Sequence, residues 1–295
     1  MPSADSLIAD FIPNEHSVMI IGGPTASGKS ALALEAAMRY DGKVINADAM
    51  QVYQKIPIIT AAPTADDKSK AVHLLYEIYP PTQRGNVADW LSRATTAVRQ
   101  CWNEHKLPII VGGTGFYIDS LIKGVSPIPE TRAEIKHRVA EIISSQGLAG
   151  AYEYLWQIDA VGAQKIRSQD VTRIRRALEI KLDTGKSIAD WFKLPLIQQL
   201  PEADFSFIKL LPSLSELEVK CSQRFDIMIE QGAVDEVKKL LSMGLDDSLP
   251  AMKAIGVPEI GAYLKGEITL PEAITLAKLH TRQYAKRQLT WFRHH

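Results

Sequence analysis

Only two of the 295 residues are cysteines, Cys101 and Cys221, far apart and in no paired motif. That excludes a disulfide framework and a thiolate zinc site, fits a reducing compartment and leaves both as small buried hydrophobes. Long apolar runs are missing too, so no stretch suits a bilayer. Residues 1–13 carry Asp5 and Asp10 and no basic start before an apolar run, which does not read as a signal peptide. The expectation is a cytoplasmic protein with no membrane partner. An excess of one charge is also absent: Lys plus Arg and Asp plus Glu are 34 each. A nucleic-acid role can then rest only on local clustering. The histidines show no metal-ligand spacing, and His73, with apolar neighbours, reads as core packing or a backbone hydrogen bond. The rest is an ordinary globular composition, 46% hydrophobic and 23% charged, in a chain long enough to bury a core unaided.

Short β-branched runs alternate with helical periodicity through the first 123 residues. Ser17-Val18-Met19-Ile20-Ile21 ends in Gly22-Gly23, a helix rich in Ala and Leu follows over 30–40, and Val44-Ile45-Asn46-Ala47-Asp48 is a second strand candidate. A helix over 86–104 leads into Leu107-Pro108-Ile109-Ile110-Val111, again closed by two glycines, and 116–123 is helical. This alternation predicts an α/β fold with a parallel sheet flanked by helices. From 131 to 192 only helical periodicity is found, bounded by Pro127, Pro129, Pro195 and Pro201, and a strand returns at 205–211. The expected organisation is a P-loop-type core over 1–123, an all-helical insertion over 124–204, and a return to the core with C-terminal helices over 205–295.

Gly23-Pro24-Thr25-Ala26-Ser27-Gly28-Lys29-Ser30 satisfies G-x-x-x-x-G-K-[ST] at every fixed position, after a strand and before a helix. The glycines let successive backbone N–H groups turn toward phosphate oxygens, and the helix start adds its positive end. Lys29 brings a mobile charge, and the Ser30 hydroxyl can ligate Mg2+. Such a loop takes a di- or triphosphate without specifying which bond breaks.

Ligands in parallel sheets collect beyond the carboxyl ends of the strands. Two further strand ends carry polar groups there: Asp48, followed by Gln51 and Tyr53, and Thr114 after Gly112-Gly113. Each could equally be a helix cap. The strand ending in Gly112-Gly113 lacks the acidic residue with which a nucleotide hydrolase holds its metal. Two stretches are locally basic. Residues 165–186 hold seven Lys or Arg against three acids, and 280–295 hold Arg282, Lys286, Arg287 and Arg293 with no acid and with Tyr284, Trp291 and Phe292 interleaved. These clusters suit a polyanionic substrate, though each also fits a solvated helix face.

Taken in order, these segments resemble the bacterial tRNA dimethylallyltransferases. The loop at 23–30 is similar to that family's diphosphate loop, Asp48-Ala49-Met50-Gln51-Val52-Tyr53 to its Asp-Ser-x-Gln-x-Tyr segment, and Gly112-Gly113-Thr114-Gly115-Phe116-Tyr117 to its Gly-Gly-Thr-x-x-Tyr turn. Arg173-Ile174-Arg175-Arg176-Ala177-Leu178-Glu179, Gln223-Arg224-Phe225-Asp226 with Met228, and the closing run Thr281-Arg282-Gln283-Tyr284-Ala285-Lys286-Arg287-Gln288 with Thr290-Trp291 resemble its later motifs.

The resemblance implies transfer of a dimethylallyl group from dimethylallyl diphosphate to N6 of adenine 37 in the anticodon stem-loop of tRNA, with Mg2+, by a monomer. It implies catalytic roles for Asp48 as general base, Thr114 near the diphosphate or base, and Arg224 against the leaving diphosphate. It implies tRNA contacts at Asp48, Ala49, Met50, Gln51 and Thr114, at Lys136 and Thr172-Arg173-Ile174-Arg175-Arg176, and at Lys253-Ala254-Ile255-Gly256. Three positions depart from the family pattern: Ala49 replaces Ser, Ala62 stands in Ile59-Thr60-Ala61-Ala62-Pro63 where the family has lysine, and Val257 replaces an aromatic residue. Competing readings are a P-loop kinase of a small metabolite, an adenylate isopentenyltransferase and an RNA-binding ATPase switch.

Overall fold

The computed structural model describes residues 7–295, so residues 1–6 of the stretch read as lacking a leader lie outside it. The β-branched runs become β1 (Ser17–Gly22), β2 (Gly42–Asn46), β4 (Leu107–Gly112) and β5 (Asp204–Lys209). A two-residue β3 (His73–Leu74) that periodicity cannot register is the fifth strand. All pairings are parallel, in the order β3-β2-β4-β1-β5. Every residue of β1 and β4 is buried, which is why both read as unbroken apolar runs rather than alternating ones.

Successive strand side chains serve opposite faces. Met19, Ile21, Ile109 and Val111 pack with Leu32, Ala33 and Ala36 of α1 (Lys29–Arg39). After β2 come two short helices, α2 (Pro57–Thr60) and α3 (Ala65–Lys70), then α4 (Val87–Asn103) before β4 and α5 (Gly115–Lys123) after it. Trp90 of α4 stacks on Tyr117 of α5 at 4.4 Å and donates Nε1 to Asn46 O at 2.8 Å, tying that layer to the end of β2. His73 Nδ1 meets Ala71 O at 2.9 Å, one of the two roles expected of it.

Two compact units result: residues up to Ile122 with Gln199–His295, and Lys123–Gln198. The second thus ends at Gln198 rather than at 204. Residues 199–202 go with the sheet unit because Arg99 of α4 donates to Gln199 O at 2.9 Å and pairs with Glu202 at 3.2 Å.

The helical unit holds α6 (Ala133–Ile158), broken at Gly147 (φ 69°, ψ 177°), α7 (Ala160–Ala163), α8 (Val171–Thr184) and α9 (Ile188–Trp191). Val139, Ala151, Leu155, Ile174, Ala177 and Leu178 form its core. Ile174 is fully buried there, so its side chain packs and makes no surface contact with RNA, a correction to the expectation for that residue. After β5 the sheet unit continues with α10 (Leu214–Glu230), α11 (Ala233–Leu241), a 3-10 turn (Ala251–Lys253), α12 (Val257–Leu264) and α13 (Leu270–His294). No helix of the described residues is long and apolar enough to cross a membrane.

Candidate active site

Glycine at three places lets the strand ends converge. At the start of α1, Gly28 adopts φ 91°, a left-handed conformation that costs most side chains free energy and that closes the loop onto the helix. At the end of β4, a Cβ on Gly112 would lie 2.0 Å from Ala47 O, and one on Gly113 2.2 Å from Gln288 Nε2. Side chains there would push against the backbone after β2 and against Gln288 near the C-terminus.

Asp48 is set by Asn46, the buried last residue of β2. Asn46 Oδ1 accepts from Asp48 N at 2.8 Å, while its Nδ2 donates to Asp48 O and Leu75 O, both at 3.1 Å. Asp48 Oδ1 then accepts from Met50 N at 2.9 Å, a turn closed by its own side chain, so no helix is capped. Thr114 splits its roles. Its carbonyl begins α5 by accepting from Tyr117 N at 3.0 Å, and its hydroxyl oxygen accepts from Ala49 N at 2.9 Å. The hydroxyl therefore steadies the Asp48 segment, and Thr114 lines neither lobe of the adjoining cavity.

On the phosphate side, Lys29 Nζ donates to Pro24 O at 3.1 Å. Burial lowers its ammonium from 10.5 to about 8, with Asp48 opposing and Arg224 reinforcing the shift. Arg224, on α10, donates to the hydroxyl of Thr25, and desolvation lowers its guanidinium too. Two cations held in poor solvation are a site prepared for an anion.

Two lobes meet at these groups. One, about 380 Å3, is lined by Thr25 through Ala31 with Asp48, Gln51 and Arg224. The other, about 300 Å3, is walled by Met50, Ile59, Phe225 and Met228, with Lys253-Ala254-Ile255, Tyr284 and Arg287 at its sides. Thr25, Asp48, Thr60 and Arg224 border both. The carboxylate and the lysine of the loop thus share one chamber, although β4 separates their strands. Ser30 offers an exposed hydroxyl in the phosphate lobe, and the described residues contain no cluster of three or more His, Cys, Asp or Glu. That donor set fits Mg2+, which takes few protein oxygens and completes its shell with phosphate and water.

The sequence placed Phe225, Met228 and Tyr284 within motifs without assigning them to an apolar wall. The signal was present: Cys221, Arg224, Phe225 and Met228 stand at i, i+3, i+4 and i+7 on one face of α10. Gln51 donates its amide to Thr60 O at 2.9 Å and Ala61 O at 2.8 Å, holding the wall. Gly256 is buried in the turn before α12, where Glu259 accepts its N–H at 2.7 Å, and Val257 is buried beside it. Of the insertion residues, Thr172, Arg173, Arg175 and Lys136 are exposed, with Arg173 paired to Asp170 and Lys136 to Glu130, each at 3.3 Å, and the less exposed Arg176 donates to Thr131 Oγ1 at 2.7 Å.

A phosphate loop, a carboxylate and an arginine at the carboxyl edge of a parallel sheet define a P-loop-type fold built to handle a phosphorylated substrate. The helical second unit and the apolar lobe narrow the class to one branch of it. The family model for IPP transferase matches residues 51–295, and the chain belongs to that family. It is 41% identical over 286 residues to the tRNA dimethylallyltransferase of Rhodopseudomonas palustris, covering 96% of this chain and 89% of that protein. Identity to the enzyme of the same name from Rhodospirillum centenum is 38% over 283 residues, 96% of this chain and 90% of that protein. Among solved structures, the tRNA isopentenylpyrophosphate transferase of Bacillus halodurans superposes with a TM-score of 0.67 at 34% identity, covering 94% and 87% of the two chains. A eukaryotic dimethylallyltransferase acting on tRNA superposes at 0.82 and 28% identity, over 93% and 69%.

Proposed function

We propose that the protein transfers a dimethylallyl group from dimethylallyl diphosphate to the exocyclic N6 of adenine 37, just 3′ of the anticodon in tRNA, releasing diphosphate. The observation that carries this is the shared border of the two lobes. A leaving group in the loop and an aromatic or prenyl group in the apolar lobe would meet where Asp48 and Arg224 stand.

The adenine amine is a weak nucleophile because its lone pair is delocalised into the ring. Holding it against the donor carbon contributes ~7 kcal/mol or more. As the N–C bond forms, the C–O bond to the diphosphate breaks and its electron pair stays on the leaving oxygen. The loop N–H groups, Lys29 and Arg224 stabilise that developing charge. Asp48 accepts the N6 proton, worth about 10²–10⁴-fold. Thr114 keeps the Asp48 segment in place through Ala49 N. The Ser30 hydroxyl would hold Mg2+, which would supply further charge neutralisation at the leaving diphosphate.

The base must leave its stack, which costs a few kcal/mol and less in a loop. The anticodon stem-loop is therefore the proposed tRNA element. Exposed Arg173 and Arg175 suit its phosphates, and Lys253-Ala254-Ile255 suits the extruded base. The enzyme is proposed to act as a monomer in the cytoplasm.

The test is mass spectrometry of nucleosides from tRNA incubated with enzyme, Mg2+ and dimethylallyl diphosphate, with AMP as a parallel acceptor. A prenylated adenosine from tRNA and none from AMP is expected. Prenylated AMP with unmodified tRNA, or no prenylated product at all, would overturn the reading.

A further inference from the structure

One buried side chain at the site has no part in the steps above. We propose that Gln288 is a positioning residue that fixes the spacing between the diphosphate loop and the Asp48 segment; this rests on the transfer reaction proposed here. Gln288 lies on α13 and is 6% exposed. Its Oε1 accepts from Thr25 N at 2.8 Å and its Nε2 donates to Gly113 O at 2.9 Å. The amide can point only one way, because flipping it would set N–H against N–H and oxygen against oxygen.

The need for such a tie follows from the sheet order. The loop extends β1 and Asp48 follows β2, but β4 separates them, so no ladder joins the two strands. Gln288 bridges from the loop to the end of β4, and Thr114, the next residue, binds Ala49 N at 2.9 Å. The Arg224 guanidinium, Thr25, Gln288, Gly113-Thr114 and Ala49-Asp48 form one connected path from the leaving-group cation to the base. The 2.2 Å approach of a Gly113 Cβ to Gln288 Nε2 shows why residue 113 carries no side chain.

The experiment compares Q288M, Q288E and G113A with the parent in steady-state transfer, with inorganic diphosphate binding and thermal melting measured alongside. Methionine keeps the volume and removes both hydrogen bonds. If both act on turnover, ~1 kcal/mol each gives a kcat about 30-fold lower, with diphosphate affinity little changed. Ionised Q288E still accepts from Thr25 but sets a carboxylate against Gly113 O. Burial raises that carboxyl, and once protonated it donates again. Its kcat relative to the parent should therefore climb as pH falls from about 8 to about 6.

G113A should reproduce the Q288M defect, and the double variant should be no worse than either single one. Parental kcat in Q288M, or a flat Q288E-to-parent ratio across that pH range, would overturn the proposal, and the ratio decides even if Q288M fails to fold. Absence of transfer by the parent would instead overturn the proposed reaction.

Discussion

Lys29→Met removes a charge whose pH behaviour follows from its surroundings. Burial holds the Lys29 ammonium at about 8 rather than 10.5, so in the free enzyme it is charged below that pH and neutral above it. An anion in the loop favours the charged form again. At about pH 7 the parent should bind inorganic diphosphate at least ~10-fold more tightly than K29M, the lower end for a charge-assisted hydrogen bond of ~1.5–3 kcal/mol. One unit above its pKa the free ammonium is about one-tenth populated, so this advantage should shrink roughly tenfold by about pH 9. Taking the ratio to K29M cancels the titration of diphosphate itself.

Stability of the ligand-free protein moves the opposite way. A lysine whose folded pKa is depressed binds its proton less tightly folded than unfolded. The parent should therefore gain stability relative to K29M as pH rises from about 8 toward 10.5. Calorimetric titration with diphosphate and thermal melts of both proteins across this range give the two slopes. A parent-to-K29M affinity ratio that stays constant from about pH 7 to about pH 9 would refute the assignment of Lys29 as a desolvated, anion-seeking cation.

Asp48→Asn keeps an acceptor for Met50 N and should leave diphosphate binding intact while lowering transfer by at least ~100-fold, read in single turnover. Gly112→Ala sets a methyl 2.0 Å from Ala47 O, a backbone atom that cannot swing away. Melting should show a loss of about 1–3 kcal/mol, and transfer should fall further as the Asp48 segment is displaced. Arg175→Ala, on the exposed face of α8, should reduce the slope of log affinity for tRNA against log salt by about 0.7–0.9 with melting unchanged. Ile174→Asp beside it should destabilise the helical unit, because it buries a charge among Val139, Leu155 and Leu178.

Much of this protein was legible in one dimension because its signals are local. A glycine-rich loop between an apolar run and a helix specifies its own geometry, so the cradle at 23–30 and strands β1, β2 and β4 could be read directly. So could the helical character of 131–192. Two features were not readable this way. β3 is two residues long and exists only because Val44 and Ile45 pair with His73 and Leu74. The insertion boundary fell at Gln198 because Arg99, a hundred residues earlier in the chain, holds Gln199.

The site divides along the same line. Residue types carry intrinsic chemistry, so Lys29, Ser30 and Asp48 could be chosen by what a phosphate or a proton requires, whereas Arg224 came only from the family resemblance. Which face Ile174 presents, whether the Thr114 hydroxyl meets ligand or Ala49, and what the Gln288 amide holds were decided by packing. Each is a contact between segments far apart in the chain, settled by strand order and by the space that Gly112 and Gly113 leave open. Local sequence chose the reactive groups of this protein; the tertiary fold set the distances between them.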